Sequence, residues 1–146
     1  MADDDFTKYI SMLVCRARGQ TFGIYAESVF EILRLKEIRV FKVPKMTPGV
    51  LGLFNLRGEI IPVFDLVERM NFMNGEIMVK SSDKASNRLI VASIEGVLYG
   101  VLVDAVLGIS EANADLFEPV YLIGVEFSCV LEGETVQIVK LDELIA

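Results

Sequence analysis

The chain has 146 residues, with 14 basic against 21 acidic side chains, a formal charge of -7 and no histidine. That length suits one domain or two small subdomains sharing a core, and burying roughly 70% of the unfolded surface lets it fold without a disulfide or metal. The negative balance argues against a phosphate-binding surface beyond local patches, and so against nucleic acid as a partner.

Apolar residues make up 53% of the chain, but their runs are short: "VLYGVLV" ends at Asp104 and "EIIPVF" is broken by Pro62. None reaches the roughly 18 residues of a membrane span. Met1 to Asp5 is acidic where a signal peptide would be basic, which predicts a cytosolic protein. Cys15 and Cys129 then read as buried thiols, a redox pair being the weaker alternative for two unpatterned cysteines.

Period-2 alternation and β-branched residues predict strands over Ile10 to Ala17, Gln20 to Tyr25, Glu59 to Phe64, Arg88 to Ile94, Val97 to Val103 and Thr135 to Val139. Gly19, Gly58, Gly96 and Gly133 punctuate them. Glu27 to Leu33 is the best candidate for a short helix, and Leu66 to Met70 and Leu141 to Ile145 each suit a helical turn. "KSSDKASN", Lys80 to Asn87, has the composition of an exposed loop.

The segments either side of that loop resemble each other. "GQTFGIYAESVFEIL" from Gly19 aligns with "GVLYGVLVDAVLGIS" from Gly96, placing Glu27 on Asp104 and Val29 on Val106; "RGEIIPVFDL" aligns with "EGETVQIVKL", placing Gly58 on Gly133 and Leu66 on Leu141. An internal duplication of short strands predicts a mainly β protein of two five-stranded barrels side by side, since closure removes exposed edges. The halves set the expected subdomains at about 12–79 and 88–140, with the N-terminal segment and C-terminal turn packing across them.

Catalytic markers are few. Without histidine the usual general base and commonest metal ligand are missing. No Cys-x-x-Cys, P-loop, Gly-x-Gly-x-x-Gly or Gly-x-Ser-x-Gly occurs. Asp142 and Glu143, or Asp3 to Asp5, are carboxylates at a terminus with no partner implied by spacing. Neither a cofactor nor a metal is expected, and a binding module outranks an enzyme.

Within "GVLGLFNLRGEIIPVFDLVERM", Gly49 to Met70, the glycines supply backbone freedom, Asn55 can cap its own turn, and Ile60, Ile61, Val63 and Phe64 suit a barrel wall. Arg57 reads either as a solvated turn residue, the commoner case, or as a partner contact.

"VPKMTPGVLGLFNLRGEIIPVFDLVERM", with "FGIYAESVFEIL" upstream and "GVLVDAVLGI" downstream, resembles the CheW family of chemotaxis coupling proteins, element by element from about Tyr9 to Ile145. The chain departs from the family pattern at Ala26, at Val67 and in a shorter Leu116 to Gly124 segment. The resemblance implies two SH3-like barrels and a non-enzymatic adaptor joining methyl-accepting chemoreceptors to the regulatory domain of the histidine kinase CheA, in the cytoplasm and recruited to membrane-associated receptor arrays. It further implies Val40, Gly52, Asn55, Arg57 and Ile60 on the kinase side, and Leu13, Ala26, Val29, Ile32 and Val103 along a receptor-facing groove between the barrels. Core packing is the competing reading for these last five, and Glu31 is either a rim charge of the groove or a solvated residue. A pilus or gliding-motility pathway is an alternative setting, and a stand-alone small-ligand or stress-sensing barrel is the alternative function.

Overall fold

A computed structural model describes residues 8–44, 47–75 and 87–145. In chain order the strands are β1 (Tyr9–Ala17), β2 (Gln20–Tyr25), β3 (Val29–Arg34), β4 (Val50–Leu56), β5 (Glu59–Asp65), β6 (Arg88–Ile94), β7 (Val97–Val103), β8 (Ala105–Asn113), β9 (Glu118–Leu122), β10 (Val125–Leu131) and β11 (Glu134–Val139). Helices α1 (Leu66–Asn74) and α2 (Leu141–Ile145) follow β5 and β11. The six strands expected from alternation all form. The acidic Met1 to Asp5 and the loop residues Lys80 to Ser86 lie outside the described residues.

The helix expected over Glu27 to Leu33 does not form. A 3-10 turn covers Ala26–Ser28, and the chain then extends as β3, alternating between half-buried and exposed positions. The apolar spacing of "VFEIL" fits either period; β-branched Val29 and Ile32, and the pairing offered by β6, decide for the strand. The expected turn at Leu66 lengthens into α1. Asp65 caps it by accepting from the Glu68 N–H at 2.9 Å, and Gly75 ends it in left-handed conformation.

Strand pairing divides the chain differently from its duplication. One sheet runs β3-β6-β7-β5-β4, the other β8-β1-β2-β11-β10-β9. The β1–β2 hairpin of the first repeat therefore completes the sheet of the second, and β6–β7 of the second completes the sheet of the first. The boundaries at 12–79 and 88–140 follow the duplication, whereas the packing units follow the exchange. The second unit also gains a sixth strand, β9, so five strands describe the first unit alone. Each inserted hairpin joins its new sheet through a parallel pairing, β7 with β5 and β2 with β11, among otherwise antiparallel ladders. Bulges recur at duplicate positions, Val50/Gly52 and Val125/Phe127, and bend the two sheets alike.

Three apolar clusters follow from this exchange. Phe54, Ile61, Leu89 and Leu98 fill the first unit, while Met12, Val14, Val136 and Ile138 fill the second. The largest cluster lies between the sheets and joins Leu13, Phe22 and Ile24 to Phe64, Leu66, Met70, Ile90, Val101, Val103 and Leu144. The exchanged hairpins thus face apolar neighbours on both sides. Cys15 sits in the shared core and Cys129 in the second unit, both free, and burial raises the Cys15 thiol to about 12.

Polar links close each unit at duplicate backbone positions, and others tie the two units together. The Gly49 carbonyl accepts from the Asp65 N–H at 2.9 Å, as the Gly124 carbonyl does from Lys140 at 2.8 Å. Arg69 Nε donates to the Leu144 carbonyl at 2.7 Å, joining α1 to α2. Arg18, in the β1–β2 turn of the second unit, places Nη2 3.3 Å from Asp65 Oδ2 at the end of β5 in the first. Burial raises the Asp65 carboxyl, opposed by the Glu68 N–H and by Arg18.

Two stability measurements test these links. Gly49 and Gly124 both have positive φ, 87° and 91°, but a Cβ on Gly49 would sit 2.7 Å from the Arg69 Cα, whereas on Gly124 it would meet only the Leu144 side chain. Gly49→Ala should therefore lower unfolding stability by about 1 kcal/mol or more beyond Gly124→Ala in denaturant titration, because backbone yields less than a side-chain tip. Arg18→Met removes the cation facing buried Asp65 and should cost about 1–3 kcal/mol at pH 7. The variant's Asp65 pKa rises further above its unfolded value, so stability is retained below the unfolded pKa and lost as pH rises through the folded one. The gap to wild type should shrink from pH 7 to pH 4; a gap independent of pH would assign the loss to packing.

Candidate partner-docking surface

The β4–β5 hairpin pairs Asn55 with Ile60 and Leu56 with Glu59, leaving Arg57 and Gly58 as a two-residue turn. Their φ values, 49° and 93°, are both left-handed, the arrangement that matches strand twist in a tight hairpin. Asn55 Oδ1 accepts from the Gly58 N–H at 2.7 Å and steadies the turn. Arg57 is thereby held at the hairpin tip, with 64% of its side chain exposed.

From there Arg57 Nη2 reaches Glu31 Oε1 on β3 at 2.5 Å. Arg57 lowers the Glu31 carboxyl below its ordinary range, and Glu31 in turn raises the guanidinium. The pair ties the hairpin tip to an edge strand. Glu31 is accordingly part of an exposed ion pair rather than a lone solvated residue.

The kinase-side candidates divide by exposure. Asn55, Arg57 and Ile60 lie on the surface, Ile60 at 59% exposure. Val40 is half-buried against the first unit's interior. Gly52 is buried where Phe41 and Leu53 exchange backbone hydrogen bonds of 2.7 and 2.8 Å, and a Cβ there would run into the Phe41 carbonyl. Val40 and Gly52 therefore hold the strand connection against the hairpin that displays the other three.

The receptor-side candidates divide as well. Ile32 is exposed on β3, while Ala26 and Val29 are half-buried, Val29 packing on the shared core. Leu13 and Val103 are only 2% and 0% exposed. Their expected place along a groove is corrected by the packing: side chains fill the space between the sheets, so these two present no surface. Sequence reasoning missed Phe30, Leu107 and Ile109, which are more than half exposed on edge strands β3 and β8. Alternation in "FEILR" and "LGISE" was the available signal, hidden by the helical reading of the first.

The second unit repeats the turn backbone without a counterpart of the Arg57–Glu31 pair. Glu132 and Gly133 form its turn with φ of 50° and 79°, and Gly108 occupies the place of Glu31. Where the first unit has its ion pair, the second has a cavity of about 210 Å³ bordered by Gly108, Leu131, Glu132 and Glu134. Among the described residues no group of three or more His, Cys, Asp or Glu side chains is placed to hold a metal, and no helix is long and apolar enough to cross a membrane. The exposed groups offer charge pairing and apolar contact.

A family model described as a CheW-like domain matches residues 11–146. The chemotaxis protein CheW of Thermotoga maritima is 42% identical over 115 residues, covering 77% of this chain and 70% of that protein. The chemotaxis protein CheW of Treponema pallidum is 29% identical over 87 residues, covering 60% of this chain; the match spans about half of that relative, 49% of its length. The crystal structure of the scaffolding protein TtCheW from Thermoanaerobacter tengcongensis superposes with a TM-score of 0.76 at 27% identity, covering 91% of this chain and 90% of that one. With a matching sequence family, a shared fold and the same pair of barrel units, the chain belongs to the CheW-like family.

Proposed function

We propose that this protein is a non-enzymatic adaptor that joins methyl-accepting chemoreceptors to the regulatory domain of the histidine kinase CheA, acting in the cytoplasm at membrane-associated receptor arrays. The observation that carries this reading is the exposed Arg57–Glu31 pair on the first unit, flanked by exposed Asn55 and Ile60 on the hairpin and by exposed Ile32 on β3. A rigid turn arginine beside an apolar residue is the composition of an interface anchor. Asn55, Arg57 and Ile60 form the kinase-contacting set, with Gly52 and Val40 supporting it. Ala26, Val29 and Ile32 form the receptor-contacting set, with Leu13 and Val103 acting only through the core behind them.

Two substitutions separate these contacts from folding. Arg57→Ala should weaken binding of the purified CheA regulatory domain by about tenfold or more, while moving the melting temperature by no more than about 2 °C, because the residue is exposed. A large loss of melting temperature with kinase affinity unchanged would make Arg57 structural. Ile32→Asp sets a charge on the apolar face of β3 and should reduce affinity for a receptor signalling tip by about tenfold, with circular dichroism and kinase affinity retained. Equal loss of both partners, or of neither, would overturn the division of surfaces.

A further inference from the structure

Arg34 closes β3 directly opposite Arg88, the first residue of β6, and Lys36 follows in the 3-10 turn Leu35–Glu37. With Asn87 they line a pocket of about 270 Å³. Its floor is fixed: the Asn87 N–H donates to the Val103 carbonyl at 3.2 Å, and the Asn87 carbonyl accepts from the Leu35 N–H at 3.0 Å. Arg88 Nη1 donates to the Asn87 carbonyl and to Asn87 Oδ1, at 3.2 and 3.1 Å, which orients the guanidinium.

None of the three cations forms an ion pair among the described residues. Like charges directly opposite on neighbouring strands destabilise the pair, so this arrangement carries a cost. The duplicated unit shows that strand pairing does not demand it. There the same cross-strand position is Ser11 opposite Glu111, and Asn113 stands in the place of Lys36. The cluster is an addition to the fold, made on a chain with a net charge of -7.

We propose that Arg34, Lys36 and Arg88 form a binding site for a phosphate-type dianion, carried either by a small phosphate compound or by a phosphorylated side chain of another polypeptide. A lone carboxylate neutralises one of three cations. A phosphoryl group brings about -1.5 to -2 charges at pH 7 and three acceptor oxygens, which suit two arginine forks and an ammonium. The site goes beyond the adaptor reading and does not rest on it.

The test is a titration of the full chain with sodium phosphate at constant ionic strength, followed by amide chemical shifts and melting temperature. Saturable shifts at Leu35, Lys36, Asn87 and Arg88 and a phosphate-dependent rise in melting temperature are expected, since a ligand that binds the folded state stabilises it. Arg34→Gln and Arg88→Gln should each weaken the apparent affinity by about tenfold. Lys36→Gln, in an exposed turn, gives the same readout without altering a strand. A phosphoserine peptide binding at least about tenfold tighter than inorganic phosphate, with its unphosphorylated form silent, identifies a polypeptide source; equal affinity identifies a small compound. Shifts that grow linearly and are matched by chloride, or variants that bind phosphate as wild type does, would overturn the proposal.

Discussion

The structure depends on two hairpins that are buried on both faces. Met12 and Val14 of β1 point into the second unit's interior, while Leu13 and Cys15, alternating with them, enter the shared core. Leu89 and Val91 of β6 fill the first unit, while Ile90 and Ala92 enter the shared core. Over the central residues 12–15 and 89–92 a period of two is thus satisfied with apolar residues on both faces. Each sequence half lacks two central strands of the sheet it mainly forms, and the other half supplies them. Core formation and the joining of the two units are therefore one event.

Duplication fixes the backbone and leaves the side chains free to differ. The turns at Arg57 and Glu132, and at Arg18 and Glu95, have the same left-handed geometry with opposite charge at the tip. Arg18 pairs with Asp65, whereas their duplicates are Glu95 and Lys140. Arg57 pairs with Glu31, whereas Glu132 faces the bare backbone of Gly108 across a cavity. What recurs in both units is what the fold needs. Of the two pairs that occur once, Arg18–Asp65 is largely buried and joins the units, whereas Arg57–Glu31 is exposed and is the one no packing requirement explains.

The sequence made strand content, the duplication and the family legible, since each rests on local pattern repeated over many residues. The exchange of hairpins was not legible: "VLYGVLV" and its duplicate read identically whether they pair within a repeat or across repeats, and only long-range pairing distinguishes the two. Strand β3 was misread because five consecutive residues containing four apolar ones satisfy both a helical and a strand period. β8 escaped notice because Gly108 and Ser110 interrupt its apolar pattern. Among the candidate site residues, exposure sorted the set in a way no motif could. Arg57 and Ile60 lie on a turn and its flank, where chain geometry alone keeps them outside, while Leu13 and Val103 belong to strands whose second face became visible only with the other unit in place.

Edge strands explain why one unit carries the ion pair. β3 and β8 each end a sheet, and each bulges at an apolar residue, Phe30 or Leu107, which breaks the ladder an incoming strand would extend. On β3 the next residue is Glu31, and its bond to Arg57 holds the edge against the β4–β5 tip; on β8 the next residue is Gly108, which offers no such hold. The same contact therefore blunts an edge and couples the hairpin face to the β3 face. Arg57 and Glu31 each lie on one face and reach across to the other, whereas Ile60 and Ile32 have no such link between the faces. In an adaptor with partners on both faces, that difference distinguishes the residues that set affinity for one partner from the pair that keeps the two surfaces in fixed relation.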